Sequence, residues 1–167
     1  MIDTAIILAG GKGERLMPLT ATTPKPLLEV NEKPLLTHII VQLVKHGVKH
    51  VIVSIGHRGE QIVEHYGANA AERFGLDKLT FCHEFEPQGT GGAVKMASKG
   101  LKAPFFLVWG DNLADFHYAG MRGLKTDEFP VVMALTPRND TENFGVVELE
   151  GDAIVGFVEK PARSEAP

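Results

Sequence analysis

The stretch with the most chemical promise runs from Leu8 to Lys25. Gly10, Gly11 and Gly13 follow directly on Leu8 and Ala9, and Arg15 and Lys25 stand just beyond. A turn without side chains lets backbone amides close on a ligand. Amide donors flanked by two cations suit a polyphosphate. Two familiar phosphate motifs fail on the letters. A Walker loop ends in Gly-Lys-Ser/Thr, but Gly11-Lys12 is followed by Gly13, which leaves no hydroxyl for Mg²⁺. A dinucleotide fingerprint needs a third glycine where Leu16 stands, and a leucine there crowds the helix–strand contact.

Three further clusters carry candidate chemistry. Glu84-Phe85-Glu86-Pro87-Gln88-Gly89-Thr90-Gly91-Gly92-Ala93 combines a carboxylate with glycines against which a flat ring can lie, and Thr90 can also serve as a plain helix cap. Trp109-Gly110-Asp111-Asn112 puts an aspartate at the end of an apolar run, poorly placed for packing and well placed for Mg²⁺, although a simple Gly-Asp-Asn turn carries the same letters. Trp109 itself is assigned to the core. Asn143-Phe144-Gly145-Val146-Val147 and Glu159-Lys160-Pro161 form the last cluster, although a solvated strand end carries the same Glu-Lys letters. The seven histidines converge on nothing, and the lone Cys82 reads as core.

These clusters need elements to position them. Thr4–Leu8 is a short apolar run, expected as a buried first strand. Glu29–Lys33 reads as a polar turn, and Pro34 as the first residue of a helix. That helix carries Leu35, Leu36, Ile39, Ile40, Leu43 and Val44 at helical spacing and ends at Gly47. A strand at His50–Ile55, a helix at Glu60–Tyr66, a strand at Leu79–His83, a helix at Thr90–Lys99 and a strand at Phe105–Trp109 follow. Asp115–Lys125 reads as helix despite Gly120 and Gly123, and Val131–Leu135 as a fifth strand. Gly145–Leu149 and Ala153–Val158 flank Gly151-Asp152, the pattern of a β-hairpin. Strands alternating with helices predict an α/β fold. The expected form is a Rossmann-like, mostly parallel sheet flanked by helices, with a β-hairpin near the C-terminus. In such sheets ligands bind beyond the carboxyl ends of the strands, where the first three clusters fall.

Composition narrows the function classes. The 167 residues suffice for a core, and 44% hydrophobic with 23% charged residues is ordinary for a globular chain. A net charge of −4, from 17 basic and 21 acidic residues, argues against a nucleic-acid partner. One cysteine excludes an internal disulfide. Without a membrane-length apolar run or a signal pattern, no membrane partner is expected and the cytoplasm is the expected location.

The ordered string Leu-Ala-Gly-Gly-x-Gly-x-Arg-Leu-x-Pro-Leu-Thr, then Thr23-Pro24-Lys25-Pro26-Leu27-Leu28, resembles the signature of the sugar-1-phosphate nucleotidyltransferases, with Glu14 where threonine is common. The Gly89–Ala93 segment is similar to the base-binding segment of family members that use GTP with mannose or heptose 1-phosphates. The resemblance implies transfer of a nucleoside monophosphate from a nucleoside triphosphate to a sugar 1-phosphate, with release of pyrophosphate. It implies catalytic roles for Arg15, Lys25 and Asp111, with Asp111 binding Mg²⁺. Leu8, Ala9, Gly10, Gly11, Gly13, Glu84, Gly89 and Thr90 would bind the nucleotide. Asn112, Gly145, Glu159 and Lys160 would bind the sugar phosphate. Glu84, a pure acceptor, could take both Watson–Crick-edge donors of guanine; GTP is favoured, with UTP the alternative. The resemblance also implies a single nucleotidyltransferase domain over residues 1–167, shortened at its C-terminal end. Two expectations follow: a module that binds nucleotide or sugar phosphate without turnover is the alternative function, and self-association covers the exposed face.

Overall fold

The computed structural model describes residues 2–86, 88–124 and 126–166. The chain divides into two compact units, Met1–Glu128 and Phe129–Pro167. In the first, β1 (Thr4–Ala9) leads through three single 3₁₀ turns (Glu14–Leu16, Leu19–Ala21, Lys25–Leu27) to the short strands β2 (Glu29–Val30) and β3 (Lys33–Pro34). Then come α1 (Leu35–Lys45), β4 (His50–Ile55), α2 (Gly59–Tyr66), α3 (Ala70–Phe74), β5 (Lys78–His83), α4 (Gly89–Ala97), β6 (Phe106–Trp109) and a 3₁₀ stretch at Tyr118–Gly123. The second unit holds a 3₁₀ turn at Thr141–Asn143 and the strands β7 (Gly145–Glu150) and β8 (Ala153–Glu159).

The expected α/β architecture is observed. Four strands form a parallel sheet in the order β5-β4-β1-β6. β1 and β4 are the inner strands, so both of their faces are covered, which is why they read as continuous apolar runs rather than alternating ones. On one face Ala5, Ile7, Val51, Val53 and Ile55 pack with Leu36, Ile39, Ile40 and Leu43 of α1 and with Ile62 and Tyr66 of α2. Most of these side chains are fully buried, each contributing about 1.5–3 kcal/mol for a leucine- or isoleucine-sized group. On the other face Ile6 is fully buried, where α4 packs across β1 and β4. The sheet is thus sandwiched between helices, and its strands all point their carboxyl ends at one edge.

Several expectations need correction. Glu29–Lys33 is more than a turn: Glu29 and Val30 pair antiparallel with Pro34 and Lys33. Asn31 and Glu32 both have positive φ, the requirement of a tight two-residue hairpin turn. Pro34 therefore ends β3 and precedes α1 instead of opening it. The α4 helix spans Gly89–Ala97 rather than Thr90–Lys99. Asp115–Lys125 is not an α-helix; only Tyr118–Gly123 winds, as 3₁₀, and Lys125 lies outside the described residues. Gly120 and Gly123 weaken the α-helix there by about 1 kcal/mol each. Val131–Leu135 is not a strand. A strand needs a neighbour for its amides and carbonyls. Among the described residues no strand pairs with this segment, and Pro130 and Pro137 interrupt the donors at its ends. Cys82, expected in the core, is only partly buried on the edge strand β5.

The C-terminal hairpin is as expected. β7 and β8 pair antiparallel from Gly145↔Glu159 to Glu150↔Ala153, with a register shift at Glu148/Leu149. Gly151 turns the chain at φ 61.

Candidate active site

The register of the parallel sheet builds the site. Trp109, Leu8, Ser54 and Cys82 occupy one row across β6, β1, β4 and β5. Just beyond these strand ends come Asp111, Gly10 and Glu84. A cleft of about 610 Å³ opens at this edge. Its lining includes Leu8, Ala9, Gly10, Gly11, Gly13, Arg15, Lys25, Glu84, Gly89, Thr90 and Asp111, so every nucleotide-binding and catalytic candidate in the first unit reaches one cavity.

The glycine turn has identifiable causes. Gly13 sits at φ 67, in the left-handed region, and its carbonyl accepts the Thr20 hydroxyl at 3.0 Å and the Leu16 amide at 2.9 Å. A Cβ on Gly13 would lie 3.2 Å from the Lys25 Cβ, so the turn and Lys25 pack directly together. Pro24 and Pro26 flank Lys25, and the Leu27 amide donates to the Pro24 carbonyl at 2.8 Å, closing a 3₁₀ turn that aims Lys25 inward. At the neighbouring strand ends, Gly110 donates its amide to the Leu8 carbonyl at 2.8 Å.

Lys25 Nζ meets Asp111 Oδ2 at 2.8 Å, across 86 positions of sequence. Both groups remain accessible, at 27% and 47% side-chain exposure. Arg15 is exposed in the cleft wall and makes no ion pair among the described residues. Glu84 is anchored at both ends: its amide donates to the Ile55 carbonyl at 2.8 Å, and its Oε1 accepts the Gln88 amide at 2.8 Å. Glu84 Oε2 lies 3.4 Å from where a Gly10 Cβ would be, so the carboxylate borders the glycine turn.

Among the described residues, no three His, Cys, Asp or Glu side chains gather as a metal cage. Asp111 Oδ1 makes no hydrogen bond among the described residues. One carboxylate is enough when substrate phosphates supply further oxygens, the usual manner of Mg²⁺ binding at nucleotide sites. Asp111 fits that arrangement.

Not every candidate joins the cleft. Asn112 follows Asp111, donates its amide to the Trp109 carbonyl at 3.3 Å and is not among the lining residues. Gly145, Glu159 and Lys160 belong to the second unit, where the hairpin brings them together at its open end. Gly145 is in register with Glu159, and a Cβ on Gly145 would lie 2.8 Å from the Phe157 ring and 3.1 Å from Glu159 Oε2. Lys160 adopts φ 48, and its amide donates to the Phe144 carbonyl at 3.0 Å. Arg138 braces that end. It forms two hydrogen bonds to Asp140, at 3.0 and 2.9 Å, and stacks 4.3 Å over the Phe144 ring. Those bonds from Arg138 hold the Asp140 carboxyl below its ordinary range.

Two lining residues were not legible as site residues. Trp109, assigned to the core from its apolar run, is 48% exposed and lines the cleft, because β6 is an edge strand. Ser54 lies in the middle of an apolar strand and also lines the cleft. Its signal was the one hydroxyl in His50–Ile55.

The profile of the nucleotidyl transferase family matches residues 4–167. The chain belongs to that family. The mannose-1-phosphate guanylyltransferase catalytic subunit beta of Danio rerio is 39% identical over 163 residues, 94% of this chain and 45% of that protein. The D-glycero-alpha-D-manno-heptose 1-phosphate guanylyltransferase of Campylobacter jejuni is 36% identical over 157 residues, 93% of this chain and 68% of that protein. HddC from Yersinia pseudotuberculosis, solved in complex with GMP-PN, superposes with a TM-score of 0.75 at 26% identity, covering 96% of this chain and 71% of that one. The chain therefore spans about half the length of the mannose-1-phosphate guanylyltransferase. As a member of this family it holds the glycine turn, Arg15, Lys25 and Asp111 in one cleft. Among the described residues no helix is long and apolar enough to cross a membrane.

Proposed function

We propose that this chain transfers a nucleoside monophosphate from a nucleoside triphosphate, GTP for preference, to a sugar 1-phosphate, releasing pyrophosphate. The observation that carries this reading is the convergence of the glycine turn, Arg15, Lys25 and Asp111 on one cleft that Glu84 also lines. The guanylyltransferase names of two relatives support the choice of GTP, as does the acceptor chemistry of Glu84. In this reading residues 1–167 are part of one nucleotidyltransferase domain.

The roles follow from charge. Both substrates are anions, so the protein must neutralise and align them. Amides of Gly10, Gly11 and Gly13 bind the triphosphate. Arg15 stabilises charge on the departing pyrophosphate. Lys25 exchanges its Asp111 partner for an oxygen of the α-phosphate, which frees the Asp111 carboxylate. Asp111 would hold Mg²⁺, which when bound neutralises phosphate charge and favours the in-line arrangement. The attacking phosphate oxygen of the sugar substrate is already ionised near neutral pH, so no general base is required. Gly145 and Glu159 of the second unit are assigned to sugar hydroxyls and Lys160 to the acceptor phosphate; Asn112 of the first unit is assigned to the sugar phosphate.

The test is pyrophosphate release from a panel of triphosphates and sugar 1-phosphates with Mg²⁺. Turnover that is fastest with GTP, and lowered about 100-fold or more in Arg15→Ala, is expected. Tight nucleotide binding without turnover for any pair would replace the enzyme with a binding module, and wild-type turnover in Arg15→Ala would remove Arg15 from the mechanism.

A further inference from the structure

We propose that the Ser54 hydroxyl is a nucleobase contact, a hydrogen-bonding group on the floor of the cleft that is satisfied when the base is bound. The inference deepens the proposed function and rests on it.

Ser54 is 1% exposed, and its Oγ is a buried side-chain atom with no hydrogen-bond partner among the described residues. Native proteins rarely leave a buried hydroxyl unpaired, and an exception calls for a water, an ion or a ligand. The surroundings explain why no protein group serves. Ser54 lies on β4, an inner strand paired on both sides, with Leu8 of β1 and Cys82 of β5 as its neighbours in the row. The adjacent carbonyls belong to the ladders. The hydroxyl also sits on the face away from the apolar core that holds Val53 and Ile55.

That face is the cleft. Leu8 and Trp109, in the same row, line it with Ser54, and Glu84 extends β5 one rung beyond, its amide bonded to the carbonyl of Ile55. Gly89, Thr90 and Ala93 close the cavity from α4. Two of these three carry little or no side chain, which leaves room for a flat ring over Ser54.

Glu84 and Ser54 are complementary. A carboxylate only accepts, and Glu84 Oε1 already takes the Gln88 amide. A nucleobase also presents acceptors, which need a donor. Ser54 supplies one O–H donor, with lone pairs left to accept. For guanine, the edge donors go to Glu84 and a ring acceptor takes the Ser54 hydroxyl.

An unpaired hydroxyl in the free protein and a paired one in the complex give effects of opposite kind. Ser54→Ala removes the orphaned group, so the free protein should unfold at the same temperature or higher. The same change should weaken GMP binding about 3- to 10-fold by titration calorimetry, the worth of one ordinary hydrogen bond. Tripolyphosphate, which can occupy the glycine turn without a base, should bind both proteins equally. Ser54→Cys, nearly isosteric with a weak donor, should fall between them. Equal GMP affinity in wild type and Ser54→Ala overturns the inference and leaves the proposed function standing. A parallel loss of tripolyphosphate affinity overturns it by placing the hydroxyl on the phosphate side. A lower unfolding temperature overturns it by revealing a protein partner. A wild-type chain that binds neither GMP nor GTP brings down the proposed function, and the inference with it.

Discussion

Gly56→Ala should damage nucleotide binding from outside the cleft. Gly56 follows β4 and is not among the lining residues. A Cβ there would stand 2.8 Å from the Gly10 carbonyl oxygen and 3.2 Å from the Gly10 Cα, both backbone atoms. The His57 amide also donates to that carbonyl at 3.3 Å. Backbone cannot swing aside as a side chain can, so the strand ends must part. Overpacking of this kind costs about 1–3 kcal/mol. For a chain of this size each kcal/mol lowers the melting temperature by about 2–4 °C, a fall of about 2–12 °C. Because Gly10 is the atom group displaced, GTP affinity should fall with it. Gly11→Ala is the converse. Nothing lies within 4 Å of a Cβ on Gly11, so stability should hold, or rise by about 0.4–1 kcal/mol from the stiffer unfolded chain. Yet that Cβ enters the cleft where the triphosphate is expected, and GTP affinity should drop. Thermal unfolding by circular dichroism and calorimetric titration of GTP read both effects. A Gly56→Ala protein that melts and binds like wild type would show that the close approach to Gly10 does not hold the turn. A Gly11→Ala protein with lowered stability would contradict the open space beside it.

Three other outcomes are expected. Lys25→Ala should shift stability by less than about 1 kcal/mol, since its ion pair with Asp111 is partly solvated, while pyrophosphate release should fall about 100-fold; turnover near wild type would exclude Lys25 from the reaction. Burial raises the Tyr66 phenol above its usual 10.0, with the Thr37 hydrogen bond and Arg73 opposing. The unfolded tyrosine then loses its proton first, so stability falls as pH climbs past 10.0 until the folded phenol also ionises. Tyr66→Phe should show a shallower fall in urea midpoint over that range, and an unchanged slope would rule out Tyr66 as its source. Ile154, Val155, Phe157 and Val158 of β8 are exposed, and self-association through them should give a dimer or larger species in light scattering; a monomer at all concentrations refutes it.

Most of the sheet was legible because inner parallel strands are buried on both faces and must be apolar throughout. Thr4–Ala9 and His50–Ile55 therefore announce themselves. The glycine turn was legible for a similar local reason: Gly13 needs its positive φ, and few other residues tolerate it. Val131–Leu135 misleads because its letters report only a preference for extended backbone, and pairing depends on a neighbour that no local pattern contains. Asp115–Lys125 misleads in the same way, with Gly120 and Gly123 tipping a marginal helix into 3₁₀.

By itself the sequence determined the order of the parallel strands and their helices, the phosphate-binding turn and the residue types available for chemistry, because these follow from short-range sterics, burial and valence. Tertiary structure alone decided which of them meet. Lys25 reaches Asp111 only because β1 and β6 are neighbours in the sheet. Trp109 becomes part of the cleft because β6 lies at an edge, and Ser54 becomes its floor because the register sets it beside Leu8. Register and strand order are properties of pairing between distant segments, so no reading along the chain could have supplied them.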